Sequence, residues 1–108
     1  MNRDEIISAL RDFKMQYAEK YGISHLRIFG SVVRDQLCDN SDVEICVSTR
    51  TPDPFLLVHF KLDVEDRINR RVDVVRFREK MNPFLKKRIE QEGVYIWQDA
   101  KSDLFAQR

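Results

Sequence analysis

Residues 29–47 read FGSVVRDQLCDNSDVEICV, and this stretch indicates the fold of the whole chain. Its second half alternates apolar and polar side chains, as a strand buried on one face does. The acids Asp42 and Glu44 therefore share the face opposite the apolar residues. Its first half ends a strand where Gly30 and Ser31 begin a turn. We expect a strand, a turn and a second strand that carries two acids on one face.

The segments on either side predict further helices and strands. In chain order we expect a helix over 4–21, a strand over 25–29, a short helix over 32–37, strands over 42–47 and 71–76 with a helix over 55–68 between them, a short helix from Asn82-Pro83 to about Gly93, and a strand over 94–97. This order predicts an α/β (α+β) fold with a small mixed sheet covered by helices. We assign residues 1–97 to one domain and residues 98–108 to a polar tail.

Composition and charge narrow the function classes. The chain has 108 residues, of which 43% are hydrophobic and 34% charged, as is typical of a single globular domain. Its 19 Lys and Arg balance 18 Asp and Glu, so we expect no direct nucleic-acid binding. The sequence contains no apolar run long enough to cross a bilayer and no signal peptide at its N-terminus. We expect a cytoplasmic protein with reduced thiols and no membrane association.

Three acids occur where a sheet favours apolar or neutral residues. Asp42 and Glu44 are two residues apart on one strand, and Asp73 lies within a later strand candidate. Like charges on adjacent strands repel, so their convergence would require a counter-charge. Carboxylate oxygens suit magnesium, which leaves its other positions to water and phosphate. The acids therefore predict a magnesium site.

A phosphate site is predicted ten residues before the first acid. Glycine at position 30 lets the backbone approach a ligand closely, and Ser31 can donate its hydroxyl to a phosphate. A helix beginning here would add unpaired N–H groups. A phosphate site beside a magnesium site indicates an enzyme that uses nucleoside triphosphates.

The spacing resembles a known family signature. Gly30-Ser31, ten intervening residues and then Asp42-Val-Glu44 resemble the glycine-serine to paired-acid motif of the DNA polymerase beta-like nucleotidyltransferase superfamily. The small size and the order of elements resemble its MNT-type minimal branch. Arg34 and Ser41 match residues that are common within that motif. Asp73 matches the family's third acid.

This resemblance implies the mechanism and the site residues. Asp42, Glu44 and Asp73 would be catalytic and would hold two Mg2+ ions, and Asp73 would share the ion that activates the acceptor hydroxyl. The nucleotide-binding residues implied are Gly30, Ser31, Arg34 and Ser41. ATP would be the substrate, and pyrophosphate would leave as the hydroxyl attacks the α-phosphate. Two metals clamping the attacking and leaving oxygens are physically suited to this reaction.

Two residues depart from the family pattern. Glu44 stands where the minimal branch usually has aspartate, which moves the carboxylate outward by about one bond length; a misplacement of about 1 Å can lower a rate roughly 100-fold. Asp35 stands where glycine is usual and adds a negative charge near the phosphate site. Both departures favour a slow or inactive enzyme.

The resemblance also implies a partner. Minimal nucleotidyltransferases commonly pair with a separate helical HEPN-type protein, often a toxin, which they silence by adenylylation or by binding. We therefore expect an antitoxin that transfers AMP to a hydroxyl of such a protein. The alternatives are a catalytically weak or inactive binding module of the same fold that neutralises its partner by occlusion, and nucleotidyl transfer to a small molecule. Exposed sheet edges and the apolar pair Leu104-Phe105 offer surface for a homo-oligomer.

Overall fold

Helices and strands follow one another largely in the predicted order. The computed structural model describes residues 2–36, 38, 41–50 and 53–98. Its elements are α1 (Arg3–Asp12), α2 (Lys14–Tyr21), β1 (Ile23–Phe29), β2 (Val43–Thr49), α3 (Pro54–Ile68), β3 (Val72–Arg76), α4 (Pro83–Glu92) and β4 (Val94–Gln98).

Side-chain caps begin three of the helices. Asn2 and Glu5 form a reciprocal capping box at α1, in which the Asn2 Oδ1 accepts from the Glu5 N–H at 2.9 Å. Asp53 accepts from the first backbone N–H groups of α3, and Pro54 occupies its first position. Asn82 caps α4 in the same way. These contacts satisfy N–H groups that the helix itself leaves unpaired, and they confirm the predicted starts of α3 and α4.

The single helix predicted over 4–21 is wrong, because Phe13 divides it into α1 and α2. The Phe13 backbone has φ −106° and ψ 15°, and its N–H donates to the Arg11 carbonyl. The Phe13 ring lies 3.7 Å from the guanidinium of Arg67 on α3. A tertiary contact of this kind can override local helix propensity, and periodicity alone does not encode it.

The short helix predicted over 32–37 is replaced by hydrogen-bonded turns. The Arg34 N–H donates to the Gly30 carbonyl at 3.1 Å, as in a helix. Asp35 then takes a φ of +58°, in the left-handed region, which ends the helical path. Leu37, the predicted last residue of that helix, lies outside the described residues.

The four strands form one mixed sheet in the order β3-β2-β1-β4. β1 is antiparallel to both β2 and β4, whereas β2 and β3 are parallel and are connected through α3. This confirms the predicted mixed sheet. Gln98, which we assigned to the tail, is the last residue of β4 and pairs with His25. The rest of the predicted tail, 99–108, lies outside the described residues.

The two faces of the sheet are covered differently. The main core lies on one face, beneath α1, α2 and α3, and includes Ile6, Leu10, Tyr17, Leu26, Ile28, Val43, Ile45, Val47, Phe60, Val64 and Val72. A smaller cluster of Phe29, Cys46 and Ile89 lies on the other face, under α4. No described helix is long and apolar enough to span a membrane.

A polar contact joins α2 to α3. The Tyr21 hydroxyl donates to Asp63 at 2.9 Å, and Arg67 Nε lies 2.6 Å from the same carboxylate. Burial and the hydrogen bond to Asp63 raise the pKa of Tyr21 to about 12. Burial also raises the pKa of Asp63, but the hydrogen bonds from Arg67 and Tyr21 outweigh it and hold that pKa below its ordinary value. This network fixes α3, which leads into β3.

Val64→Ala tests the main core, and Val58→Ala on the same helix is its matched control. Val64 is fully buried, whereas Val58 is 56% exposed. We expect Val64→Ala to lower the free energy of unfolding by about 2 kcal/mol, because it removes two buried carbon groups and leaves a cavity. Val58→Ala should change it by less than about 0.5 kcal/mol. Urea denaturation measures both, and equal losses would contradict this description of α3.

Candidate active site

The sheet register places Glu44 beside Asp73. Glu44 of β2 pairs with Phe29 of β1 on one side and with Asp73 of β3 on the other. Residues directly opposite one another on neighbouring strands project to the same face. Glu44 and Asp73 thus share one sheet face, the one that α4 partly covers. Asp42 lies directly before β2, two residues before Glu44.

Arginines form ion pairs with two of the three carboxylates. Asp42 Oδ1 lies 3.4 Å from Arg71 Nε, and Glu44 Oε2 lies 3.5 Å from Arg88 Nη2, while Asp73 is exposed. Across the described part of the chain, no group of three or more His, Cys, Asp or Glu side chains could hold a metal ion as placed. The three acids do not converge on one point, and their role as ligands stays a prediction.

The donor chemistry and the neighbouring backbone fit magnesium. The three carboxylates, one of them just before β2 and two on neighbouring strands, are the hard oxygen ligands that this ion prefers. Gly30 has a φ of +78° and approaches Glu44 so closely that a Cβ at position 30 would lie 1.5 Å from Glu44 Oε2. The Glu44 carboxylate therefore occupies the space that a Cβ at position 30 would need, and only glycine allows this approach. The residues that would hold the ion are Asp42, Glu44 and Asp73.

The turn after Gly30 carries the predicted phosphate contacts. Ser31 is half-buried beside Gly30, and buried Val32 anchors the turn in the core. Arg34 Nη1 donates to the two carboxylate oxygens of Glu92 at 2.9 and 3.0 Å. The Gly30 N–H donates to Glu92 Oε2 at 3.3 Å. The structure thus brings together Gly30 and Arg34, two of the predicted nucleotide-binding residues, through a carboxylate at the end of α4.

Sequence reasoning missed Glu92, and one signal could have found it. Glu92 is the last residue of α4, where the negative end of the helix dipole disfavours an acid. Lys, Arg or His would suit that position better, and the last turn of α4 contains none of them. An acid placed against the dipole indicates a partner elsewhere in the fold.

Arg88, also on α4, reaches one of the acids. It lies four residues before the end of α4 and contacts Glu44. Its guanidinium also lies 5.6 Å from the centre of the Phe29 ring. Arg88 is therefore part of the candidate site.

Ser41 is held in a turn just before β2. Its hydroxyl accepts from the Cys38 N–H at 3.2 Å, and its N–H donates to the Cys38 carbonyl at 3.0 Å. The guanidinium of Arg70 donates to both the Cys38 and the Ser41 carbonyls. Ser41 shapes the approach to Asp42, and a contact between Ser41 and nucleotide stays a prediction.

Cys46 shares the sheet face of Glu44 but supplies no reactive thiolate. Burial raises the pKa of the Cys46 thiol to about 11, against a smaller opposing effect of Arg27. A thiol with this pKa stays protonated at neutral pH, so it is a poor nucleophile there. Cys46 packs with Phe29 and Ile89 in the cluster under α4.

The arrangement can neutralise and position a phosphorylated ligand. It offers carboxylates for a divalent cation, a glycine N–H, and the guanidinium groups of Arg34 and Arg88 within the same region of the sheet face. Phosphoryl-type transfer depends mostly on such positioning and charge neutralisation.

Comparison with known families decides the class. Residues 14–102 match the model of the family described as polymerase beta, nucleotidyltransferase. The chain belongs to this nucleotidyltransferase family. It is 32% identical over 95 residues to protein adenylyltransferase MntA of Thermococcus cleftensis, a match that covers 86% of this chain and 94% of that protein. The predicted family and the prediction of a nucleotidyltransferase enzyme are confirmed.

Solved structures share the fold. A toxin-antitoxin crystal structure with AMP-PNP superposes with a TM-score of 0.69 at 23% identity, covering 97% of this chain and 80% of that chain. A complex of tri-AMPylated Shewanella oneidensis HEPN toxin with MNT antitoxin gives a TM-score of 0.60 at 21% identity, covering 96% of this chain and 76% of that chain. At these identities the likeness establishes a common nucleotidyltransferase fold, which confirms the predicted fold.

Gly30→Ala tests the site, and Gly22→Ala is its control. Both glycines have positive φ, +78° and +65°, but only a Cβ at position 30 meets Glu44; nothing lies within 4 Å of a Cβ at position 22. We expect each substitution to lower the free energy of unfolding by about 1 kcal/mol from backbone strain. Only Gly30→Ala should abolish metal-dependent ATP binding in calorimetry, because it displaces the Glu44 carboxylate. Unchanged ATP binding by Gly30→Ala would contradict the geometry.

Proposed function

We propose that the protein transfers AMP from ATP, with magnesium, to a side-chain hydroxyl of a separate HEPN-type toxin and thereby acts as its antitoxin. The observation that carries this proposal is the pairing of Glu44 with Asp73 beside the Gly30 backbone. The names of MntA from Thermococcus cleftensis and of the AMPylated toxin complex support the same reaction and partner class.

Different residues of the site would bind the metal ions and the phosphates. Asp42, Glu44 and Asp73 would hold two magnesium ions, which when bound polarise the phosphate and offset its charge. The Gly30 N–H and the Ser31 hydroxyl would bind the β- and γ-phosphates. Arg34 and Ser41 are the remaining predicted nucleotide contacts.

The covalent change is a displacement at the α-phosphorus. The acceptor oxygen forms a bond to that phosphorus while the bond to the bridging oxygen of the β-phosphate breaks, and pyrophosphate leaves. A carboxylate oxygen of Asp73, which is exposed on the sheet face, would take the hydroxyl proton. Arg34 would offset charge on the phosphates once they replace Glu92 as its partner.

Intact-mass spectrometry of the partner tests the function. The chain, ATP, magnesium and a candidate HEPN-type protein are incubated together, and we expect the partner to gain adenylate. Asp42→Asn and Asp73→Asn should each slow this gain roughly 100-fold or more, because a ligand charge is lost. The control is Asp66→Asn, an exposed acid on α3 that should leave the rate unchanged.

Other outcomes identify the alternative functions. A partner that gains no adenylate but is still neutralised, equally by Asp42→Asn and Asp73→Asn, would identify an occluding module. Adenylylation of small molecules with no protein partner present would identify the third alternative. Either result would overturn the proposed reaction.

A further inference from the structure

We propose that Glu92 sets the nucleotide affinity of the site, because its carboxylate occupies the Gly30 N–H and the Arg34 guanidinium that the triphosphate must bind. This inference rests on the proposed function and concerns the same site. It assigns to Glu92 the role of an internal competitor of phosphate.

The contacts of Glu92 are those expected of a bound phosphate. Glu92 Oε2 accepts from the Gly30 N–H at 3.3 Å, and Arg34 Nη1 lies within 3.0 Å of both carboxylate oxygens. Carboxylate and phosphate oxygens use the same backbone and guanidinium donors. A triphosphate bound at Gly30 must therefore displace this carboxylate.

α4 also places a positive charge beside the predicted metal ligands. Arg88 lies one turn before Glu92 and contacts Glu44, the predicted metal ligand, at 3.5 Å. Leu85 and Ile89 pack α4 against the cluster on this sheet face. The helix thus presents an anion to the phosphate donors and a cation to a metal ligand. Arg34 and Glu44 are thus each paired with an opposite charge on α4.

The strength of the competition follows from burial. The side chains of Arg34 and Glu92 are 41% and 28% exposed, so solvent screens their attraction in part. The state that can bind phosphate is the one in which Glu92 has left Gly30 and Arg34. The apparent dissociation constant of a ligand equals its intrinsic value divided by the fraction of molecules in that state. For a half-exposed charged pair we expect Glu92 to weaken nucleotide binding about 3- to 10-fold.

The competing explanation predicts the opposite sign. If Glu92 instead held Arg34 in the orientation that phosphate needs, its removal would weaken nucleotide binding. The hydrogen bond from the Gly30 N–H to Glu92 is evidence against a purely orienting role. Glu92 contacts the arginine and also occupies a backbone N–H that the phosphate would use. The direction of the change in affinity therefore separates the two roles.

Glu92→Gln provides the test, with Glu90→Gln as the matched control. Both substitutions remove one negative charge from the last turn of α4, but Glu90 is exposed. Calorimetry with magnesium-ATP and, separately, with inorganic triphosphate gives the dissociation constants. We expect Glu92→Gln to bind both ligands about 3- to 10-fold more tightly than wild type, and Glu90→Gln to match wild type.

The outcomes distinguish this inference from the proposed function. Equal or weaker binding by Glu92→Gln, with wild type binding ATP, overturns the role of Glu92 and leaves the proposed function intact. A matching gain in Glu90→Gln also overturns it, because the effect would then be one of net charge. Absence of ATP binding in wild type and both variants overturns the inference and the proposed function together.

Discussion

The parallel pairing of β2 with β3 is the constraint on which the candidate site depends. Its register sets Val43 opposite Val72 in the core and Glu44 opposite Asp73 on the other face. A slip of one residue would send Asp73 to the core face and a valine to the site. Burial of Val43 and Val72 therefore keeps the two acids together. The connection through α3 makes this parallel pairing possible, because parallel neighbours need a long crossover.

Unequal cover of the two sheet faces explains where chemistry can occur. Three helices close one face, and its residues are almost entirely apolar and buried. α4 closes only part of the other face, so charged side chains there remain within reach of solvent and ligand. The Gly30 turn adjoins this open region, where the backbone comes close to Glu44 without a Cβ between them. The main apolar core and the candidate site thus lie on opposite sides of one sheet.

Local patterns predicted most of the fold and the sheet face that carries Glu44. Strand alternation placed Glu44 opposite the apolar face of β2, and α3 and α4 begin within one residue of their predicted starts. The break at Phe13 was not predicted, because its contact with Arg67 joins residues far apart in sequence. The contacts that α4 makes with the site were missed for the same reason: they depend on how a helix docks on a sheet, which periodicity does not describe.

The balanced overall charge conceals a specific local organisation. Acids on neighbouring strands repel, and a free chain must offset that repulsion before any cation binds. Here Arg71 lies beside Asp42 and Arg88 beside Glu44, so the neutralising charges come from a strand end and from α4. α4 therefore serves packing and electrostatics together, since Ile89 anchors the helix that carries Arg88. The negative charge of the candidate site is therefore offset in part by arginines from two places in the fold, one of them on the helix that packs against the sheet.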